Sequence, residues 1–231
     1  LNEAFDSNKH QHLYLFIGRK SEKALVSEFT AILEFKLNSR FFQPTSLKDI
    51  FEYLFDYATK VPLTIVIDEF QDIEKVEPGL FSDLQNLWDS YKKSAMLHLV
   101  CCGSLYNLMT RLFKDEKQPL LNRDDYFFKI NPLTPGYIKA IMQDNGKYNP
   151  EDLLLWWCLS GGIPKYLEWL NNTTNEPLSS LISDTSPLIK EGMHRLVEDF
   201  GSEHRAYFDI LGAIASGYNT RPRIENYLAI G

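Results

Sequence analysis

The first 133 residues alternate between short apolar segments and amphipathic helical segments, and this alternation constrains the fold more than any other feature. Strands that are apolar along their whole length, and that are separated by helices, are typical of a parallel sheet covered on both faces. Residues 1–133 therefore predict an α/β domain. Four strands are predicted, at His12–Gly18, Leu63–Asp68, Leu97–Gly103 and Tyr126–Leu133.

Only helical patterns follow Thr134, so an all-helical part is predicted after the α/β domain. The boundary between the two parts is expected between Pro132 and Pro135. The helical patterns cover residues 135–143, 150–159, 164–170, 187–200, 203–216 and 222–228.

Composition excludes several classes of protein. The formal net charge is −7 and the pI is about 5.3, so any contact with nucleic acid must come from a local basic patch. The three cysteines form no CxxC motif, which argues against a disulfide scaffold. No apolar segment has the length of a membrane span and no signal peptide opens the chain, so a cytoplasmic protein without membrane contact is predicted.

The chain begins with Leu1 in the sequence LNEAF, which has a helical pattern but no preceding cap residue. This beginning predicts that the chain is a fragment that starts inside a helix.

Two acidic residues, Asp68 and Glu69, directly follow the apolar strand LTIVI. Carboxylates at the carboxyl end of such a strand lie where open α/β sheets bind their ligands. The arrangement resembles the Walker B element of P-loop ATPases, in which the Asp holds Mg²⁺ and the Glu orients the attacking water. The alternative is that both acids are ordinary turn residues after a buried strand.

The partner motif of a Walker B element, G-x-x-x-x-G-K-[ST], does not occur in the sequence, although the chain has 12 glycines. Without this loop there is no nest of backbone amides for phosphates. Either the protein does not bind nucleotide in this way, or the loop lies upstream of Leu1.

Six segments, in order along the chain, resemble the motifs of one family. They are LNEAF, HLYLFIGRKSE, VIDEFQDI, CCGSLYNLM, PLLNRDDYFFKINPL and SGGIPKYLEWL. Together they resemble the archaeal-type ATPase family of P-loop proteins, within the AAA+/STAND-like group. In that family LNEAF follows the Walker A motif, and SGGIPKYLEWL belongs to a helical lid.

The resemblance implies roles for three more residues. Ser104 is the expected sensor-1 group near the γ-phosphate, although it also fits the N-cap of a helix over 105–113. Arg123 is the expected arginine finger, although an ion pair with Asp124 or Asp125 explains it equally well. Lys165 is the expected sensor-2 cation, with a solvated lysine as the alternative.

The last segment, residues 201–231, resembles the beginning of a winged-helix domain that stops before its recognition helix. A plain helical hairpin is the alternative. DNA binding is therefore expected only of a complete protein.

The sequence predicts a P-loop ATPase module whose central strand is absent from the chain. Residues 1–133 are expected to form the ATPase core, 134–200 the lid and 201–231 the incomplete winged helix. ATP and Mg²⁺ are the implied ligands, Asp68 is the expected metal ligand, and a homo-oligomer is one possible assembly. The alternatives are a DNA-associated scaffold that has lost hydrolysis, and a superfamily-1 helicase, because DEFQD also occurs in helicase motif II. The Gly-Asp-x-x-Gln helicase segment is missing after the next strand.

Overall fold

The computed structural model describes residues 11–172, 182–200 and 204–229. The chain divides into two compact units, residues 1–129 and 130–231. In the described ranges no helix is both long enough and apolar enough to cross a membrane.

The first unit contains a parallel sheet of three strands in the order β1-β2-β3. Strand β2 is central, because it pairs with β1 on one side and with β3 on the other. In register, Phe16 of β1 lies opposite Asp68 of β2, and Ile67 of β2 lies opposite Cys101 of β3. The strands are β1 (Gln11–Phe16), β2 (Leu63–Asp68) and β3 (Leu97–Cys101).

Helices connect these strands, as parallel pairing requires. Helix α2 begins with a capping box, in which the Ser46 side chain accepts from the Asp49 backbone N–H and the Asp49 carboxylate accepts from Ser46. The helices of this unit are α1 (Glu22–Leu37), α2 (Leu47–Ala58), α3 (Ile73–Val76), α4 (Leu80–Tyr91) and α5 (Tyr106–Lys114), with a 3₁₀ turn at Phe70–Asp72.

Strand β1 has one buried face and one open face. Leu13 and Leu15 are fully buried, whereas the side chains between and after them, Tyr14 and Phe16, are 41% and 44% exposed. The prediction of a sheet covered on both faces is therefore wrong at β1. Strand β2 does fit it, because Ile65, Val66 and Ile67 are all buried.

The predicted fourth strand, Tyr126–Leu133, is also wrong, because this segment forms no strand. Phe127 packs against Phe113 in the core, whereas Tyr126 and Phe128 are both 80% exposed. Alternating apolar residues favour a strand, but a strand also needs a neighbour that offers unpaired N–H and C=O groups. No described strand lies beside this segment to complete such a ladder.

All the regular elements described in the second unit are helices, as the sequence predicted for the region after Thr134. Its core contains Ile138 and Met142, both fully buried, together with Trp156, Leu167 and Leu170. Its helices are α6 (Pro135–Asp144), α7 (Pro150–Ser160), α8 (Pro164–Asn172), α9 (Pro187–Phe200), α10 (His204–Ala215) and α11 (Arg221–Leu228).

Two consecutive glycines lie between α7 and α8, and their surroundings differ. Gly161 and Gly162 both have positive φ, at 57° and 78°. A Cβ at position 162 would lie 2.3 Å from the backbone O of Leu133, whereas a Cβ at position 161 would meet nothing within 4 Å. The Gly162 carbonyl also accepts a hydrogen bond from the Leu133 N–H at 2.8 Å. Gly162 is therefore needed for packing within this unit, whereas Gly161 is needed only for its left-handed backbone.

We expect Gly162→Ala to destabilise the second unit by at least ~2 kcal/mol more than Gly161→Ala. The Gly161 variant should cost about 1–2 kcal/mol, because only the left-handed backbone is penalised there. Denaturant unfolding followed by tryptophan fluorescence measures this, since three of the four tryptophans (Trp156, Trp157 and Trp169) lie in this unit. Equal losses for the two variants would contradict the close approach to Leu133.

Candidate functional site

Asp68 ends the central strand, and both oxygens of its carboxylate are held. The Tyr14 hydroxyl donates to Oδ2 at 2.5 Å, and the Glu69 backbone N–H donates to Oδ1 at 3.0 Å. The Asp68 carbonyl accepts from the Ile17 N–H at 3.0 Å, which continues the pairing of β1 with β2. The pairing with β1 thus fixes the position of Asp68, and Tyr14 together with the Glu69 N–H fixes the orientation of its carboxylate.

Glu69 turns the chain sharply away from the sheet. Its backbone is left-handed, with φ 53° and ψ 41°, a conformation that costs a non-glycine residue about 1–2 kcal/mol. The next residue is anchored on two sides: the Phe70 N–H donates to the Cys102 carbonyl at 2.9 Å, and the Phe70 ring packs against Phe81 and Phe113. This anchoring holds the strained turn in place.

The Glu69 carboxylate receives two side-chain donors at the same oxygen. Gln71 Nε2 donates to Oε2 at 2.5 Å, and Ser104 Oγ donates to Oε2 at 2.9 Å. Ser104 follows β3, so the ends of two neighbouring strands meet here. The alternative role of Ser104, as the N-cap of a helix over 105–113, is wrong. The N-cap of α5 is Leu105, and it makes no side-chain capping hydrogen bond.

The structure therefore brings together three of the predicted site residues, Asp68, Glu69 and Ser104. It also adds Tyr14 and Gln71, whose roles the sequence analysis did not identify. The signal for Gln71 was its place in the DEFQD segment, two residues after Glu69.

Arg123 lies away from this group. Its guanidinium donates to Asp89 Oδ2 from Nη2 at 2.8 Å and to the Leu121 carbonyl from Nη1 at 2.9 Å. Asp89 is in the last turn of α4, a helix that runs from the carboxyl end of β2 back toward the start of β3. These contacts favour the ion-pair alternative, but the predicted partner, Asp124 or Asp125, is wrong. Arg123 pairs with Asp89, and Asp124 accepts from Lys114. The finger role stays a prediction.

Lys165 belongs to the second unit. Its Nζ donates to Glu191 at 2.8 Å and lies over the ring of Trp169, 5.1 Å from the centroid. The sensor-2 role of Lys165 stays a prediction.

The carboxylate oxygens at the end of β2 suit a magnesium ion that arrives with a nucleotide. No group of three or more metal-ligating side chains occurs among the residues that the structure describes, so no all-protein cage is present there. Mg²⁺ is commonly held by one or two carboxylates together with phosphates and water, and Asp68 provides such a carboxylate. Burial and the nearby charge of Asp68 raise the pKa of the Cys102 thiol, which favours its protonated form.

Comparison with known proteins identifies the family. The model of an ATPase domain found predominantly in Archaea matches residues 2–170. The chain belongs to this family. Membership in this archaeal ATPase family confirms the resemblance seen in the six motifs.

Two uncharacterized proteins of Methanocaldococcus jannaschii are similar to this member of the archaeal ATPase family. One is 27% identical over an alignment of 245 positions, which covers 99% of this chain and 55% of that protein. The other is 34% identical over 58 residues, which cover 25% of this chain and 56% of that protein. The chain thus spans about half the length of the first relative.

A solved structure has the same fold. The Walker-type ATPase of Pyrococcus abyssi superposes with a TM-score of 0.67 at 20% identity, over 96% of this chain and 73% of that one. This likeness concerns the fold alone.

The Tyr14–Asp68 hydrogen bond predicts a specific pH dependence. Donation to the Asp68 carboxylate, together with burial and nearby negative charge, raises the pKa of Tyr14 from 10.0 to about 12. A raised phenol pKa stabilises the fold below pH 10, and this contribution is lost as the pH rises toward 12. We expect Tyr14→Phe to lower the free energy of unfolding by about 1 kcal/mol at pH 7, since Tyr14 is partly exposed.

Denaturant unfolding between pH 7 and pH 11 measures this difference, which should shrink above pH 10. Tyr126→Phe is the control, because Tyr126 is 80% exposed and should show no such trend. A Tyr14→Phe deficit that stays constant up to pH 11 would contradict the assignment.

Proposed function

We propose that this chain is the carboxylate-bearing part of a Mg²⁺-dependent ATPase that acts as a conformational switch. The observation that carries the proposal is the pair Asp68 and Glu69 at the end of the central strand, with Ser104 of the next strand on Glu69. Membership in the archaeal ATPase family supports it.

Each residue has a defined task in this proposal. Asp68 binds Mg²⁺ through water. Each of its carboxylate oxygens already accepts one hydrogen bond but has a further lone pair for a metal-bound water. When bound, Mg²⁺ neutralises charge on the phosphates of ATP. Glu69 orients the attacking water and accepts its proton, and Ser104 stands where a γ-phosphate would be sensed.

The phosphate cradle is not among these residues, since the sequence has no G-x-x-x-x-G-K-[ST] motif. We propose that the full-length protein supplies it from outside residues 1–231. The second candidate, a DNA-associated scaffold without hydrolysis, is favoured by this same missing motif. DNA contact through residues 201–231 and association into oligomers belong to the proposal as partners still to be tested.

Two substitutions in the full-length protein test the ATPase proposal. Glu69→Gln should keep ATP affinity but lower turnover by roughly 10²–10⁴-fold, because a general base is lost. Asp68→Ala should instead weaken Mg·ATP binding by at least about 10-fold, because it removes a metal ligand. Turnover and nucleotide affinity are measured separately, by phosphate release and by titration with a fluorescent ATP analogue.

Glu34→Gln is the matched control, because Glu34 is an exposed acid on α1. It should behave as the unaltered protein does. Small and equal effects of the Asp68 and Glu69 substitutions would favour the scaffold and make both acids ordinary turn residues.

A further inference from the structure

Gln71 is a buried amide in the 3₁₀ turn directly after the acidic pair. Its side chain is only 3% exposed. Gln71 Nε2 donates to Glu69 Oε2 at 2.5 Å, while Gln71 Oε1 is buried and has no hydrogen-bond partner among the residues that the structure describes. A buried unpaired acceptor lowers stability, so an apolar side chain of similar size would suit the fold better. The amide does provide a hydrogen bond to Glu69, which an apolar side chain could not make.

Gly103 makes room for this amide. A Cβ at position 103 would lie 2.3 Å from Gln71 Oε1 and 2.6 Å from Met109 Sδ. Gln71 is therefore confined between Glu69 and the backbone that follows β3. In this position the amide directs its N–H toward Glu69 Oε2.

The two donors leave the Glu69 carboxylate unequally occupied. Gln71 and Ser104 both donate to Oε2, so Oε1 accepts no hydrogen bond from the residues that the structure describes. Glu69 itself is only half-buried, so water reaches this carboxylate. An oxygen without a donor is the one that can accept a proton from water.

We propose that Gln71 is a positioning residue, which holds Glu69 through Oε2 so that Oε1 faces the attacking water. Gln71 acts through Glu69 and does not touch the nucleotide. This inference rests on the proposed ATPase function and adds a residue to its machinery. A general base that is misplaced by about 1 Å can lose up to roughly 10²-fold in rate, which sets the size of the effect.

Gln71→Leu in the full-length protein tests the proposal, since leucine removes both the donor and the unpaired acceptor. We expect turnover to fall by about 10-fold or more, with ATP affinity within about two-fold of the unaltered protein. The Tm of the nucleotide-free protein should stay the same or rise, because the buried unpaired oxygen is gone. Gln85→Leu, a half-buried glutamine on α4, is the matched control and should keep normal turnover.

A second pair of variants shows whether Gln71 acts through Glu69. In the Glu69→Gln background, adding Gln71→Leu should cause no further loss of turnover. A further loss in that background would overturn the proposal. A Gln71→Leu protein with a lowered Tm and lost ATP binding would also overturn it, since the role of Gln71 would then be structural.

The outcomes separate this inference from the proposed function. An active protein in which Gln71→Leu is as fast as the unaltered form overturns only the role of Gln71. Absence of turnover in the unaltered protein, or full activity of Glu69→Gln, overturns the proposed function and the inference together.

Discussion

The pairing of β2 on both sides is the constraint on which the rest of the site depends. Its backbone is hydrogen-bonded to β1 and to β3, and Ile65 and Ile67 are fully buried between the layers. A strand held on both edges and packed in the core cannot shift in register without moving its whole side-chain pattern to the wrong face. Asp68 is the last residue of this strand, so its position is set by the ladder rather than by its own contacts.

The sequence was sufficient where the signal is local. Continuous apolar segments predicted β2 and β3, and the acids after β2 indicated Asp68 and Glu69. Ser104 was indicated only by the resemblance to the ATPase family. The Tyr14–Asp68 contact was beyond reach, because it joins residues 54 positions apart and depends on the register of two strands. Gln71 was missed for a different reason: a polar residue in a turn is ordinarily solvated, and its burial is a tertiary property that the local sequence does not predict.

The segment Tyr126–Leu133 shows the same limit, because here the sequence predicted a strand that the structure does not form. Its apolar residues match a strand pattern, but a ladder is a property of two segments, and no described strand offers the second. Tyr126 and Phe128 are left exposed, while Phe127 packs against the core of the first unit. Composition and periodicity predict how a segment will bury its side chains only when a partner for its backbone is also present.

Two unfavourable local features meet in the turn that carries the acidic pair. Glu69 has a left-handed backbone, and Gln71 carries a buried oxygen without a partner in the described part of the chain. A chain that needed only a tight connection between β2 and α3 has better residues for it, such as glycine at position 69 and an apolar residue at position 71. Packing of Phe70 against Phe81 and Phe113 offsets the cost and keeps the turn rigid. The strained turn holds a carboxylate beside the end of the central strand, which is the geometry that the proposed proton transfer from a bound water requires.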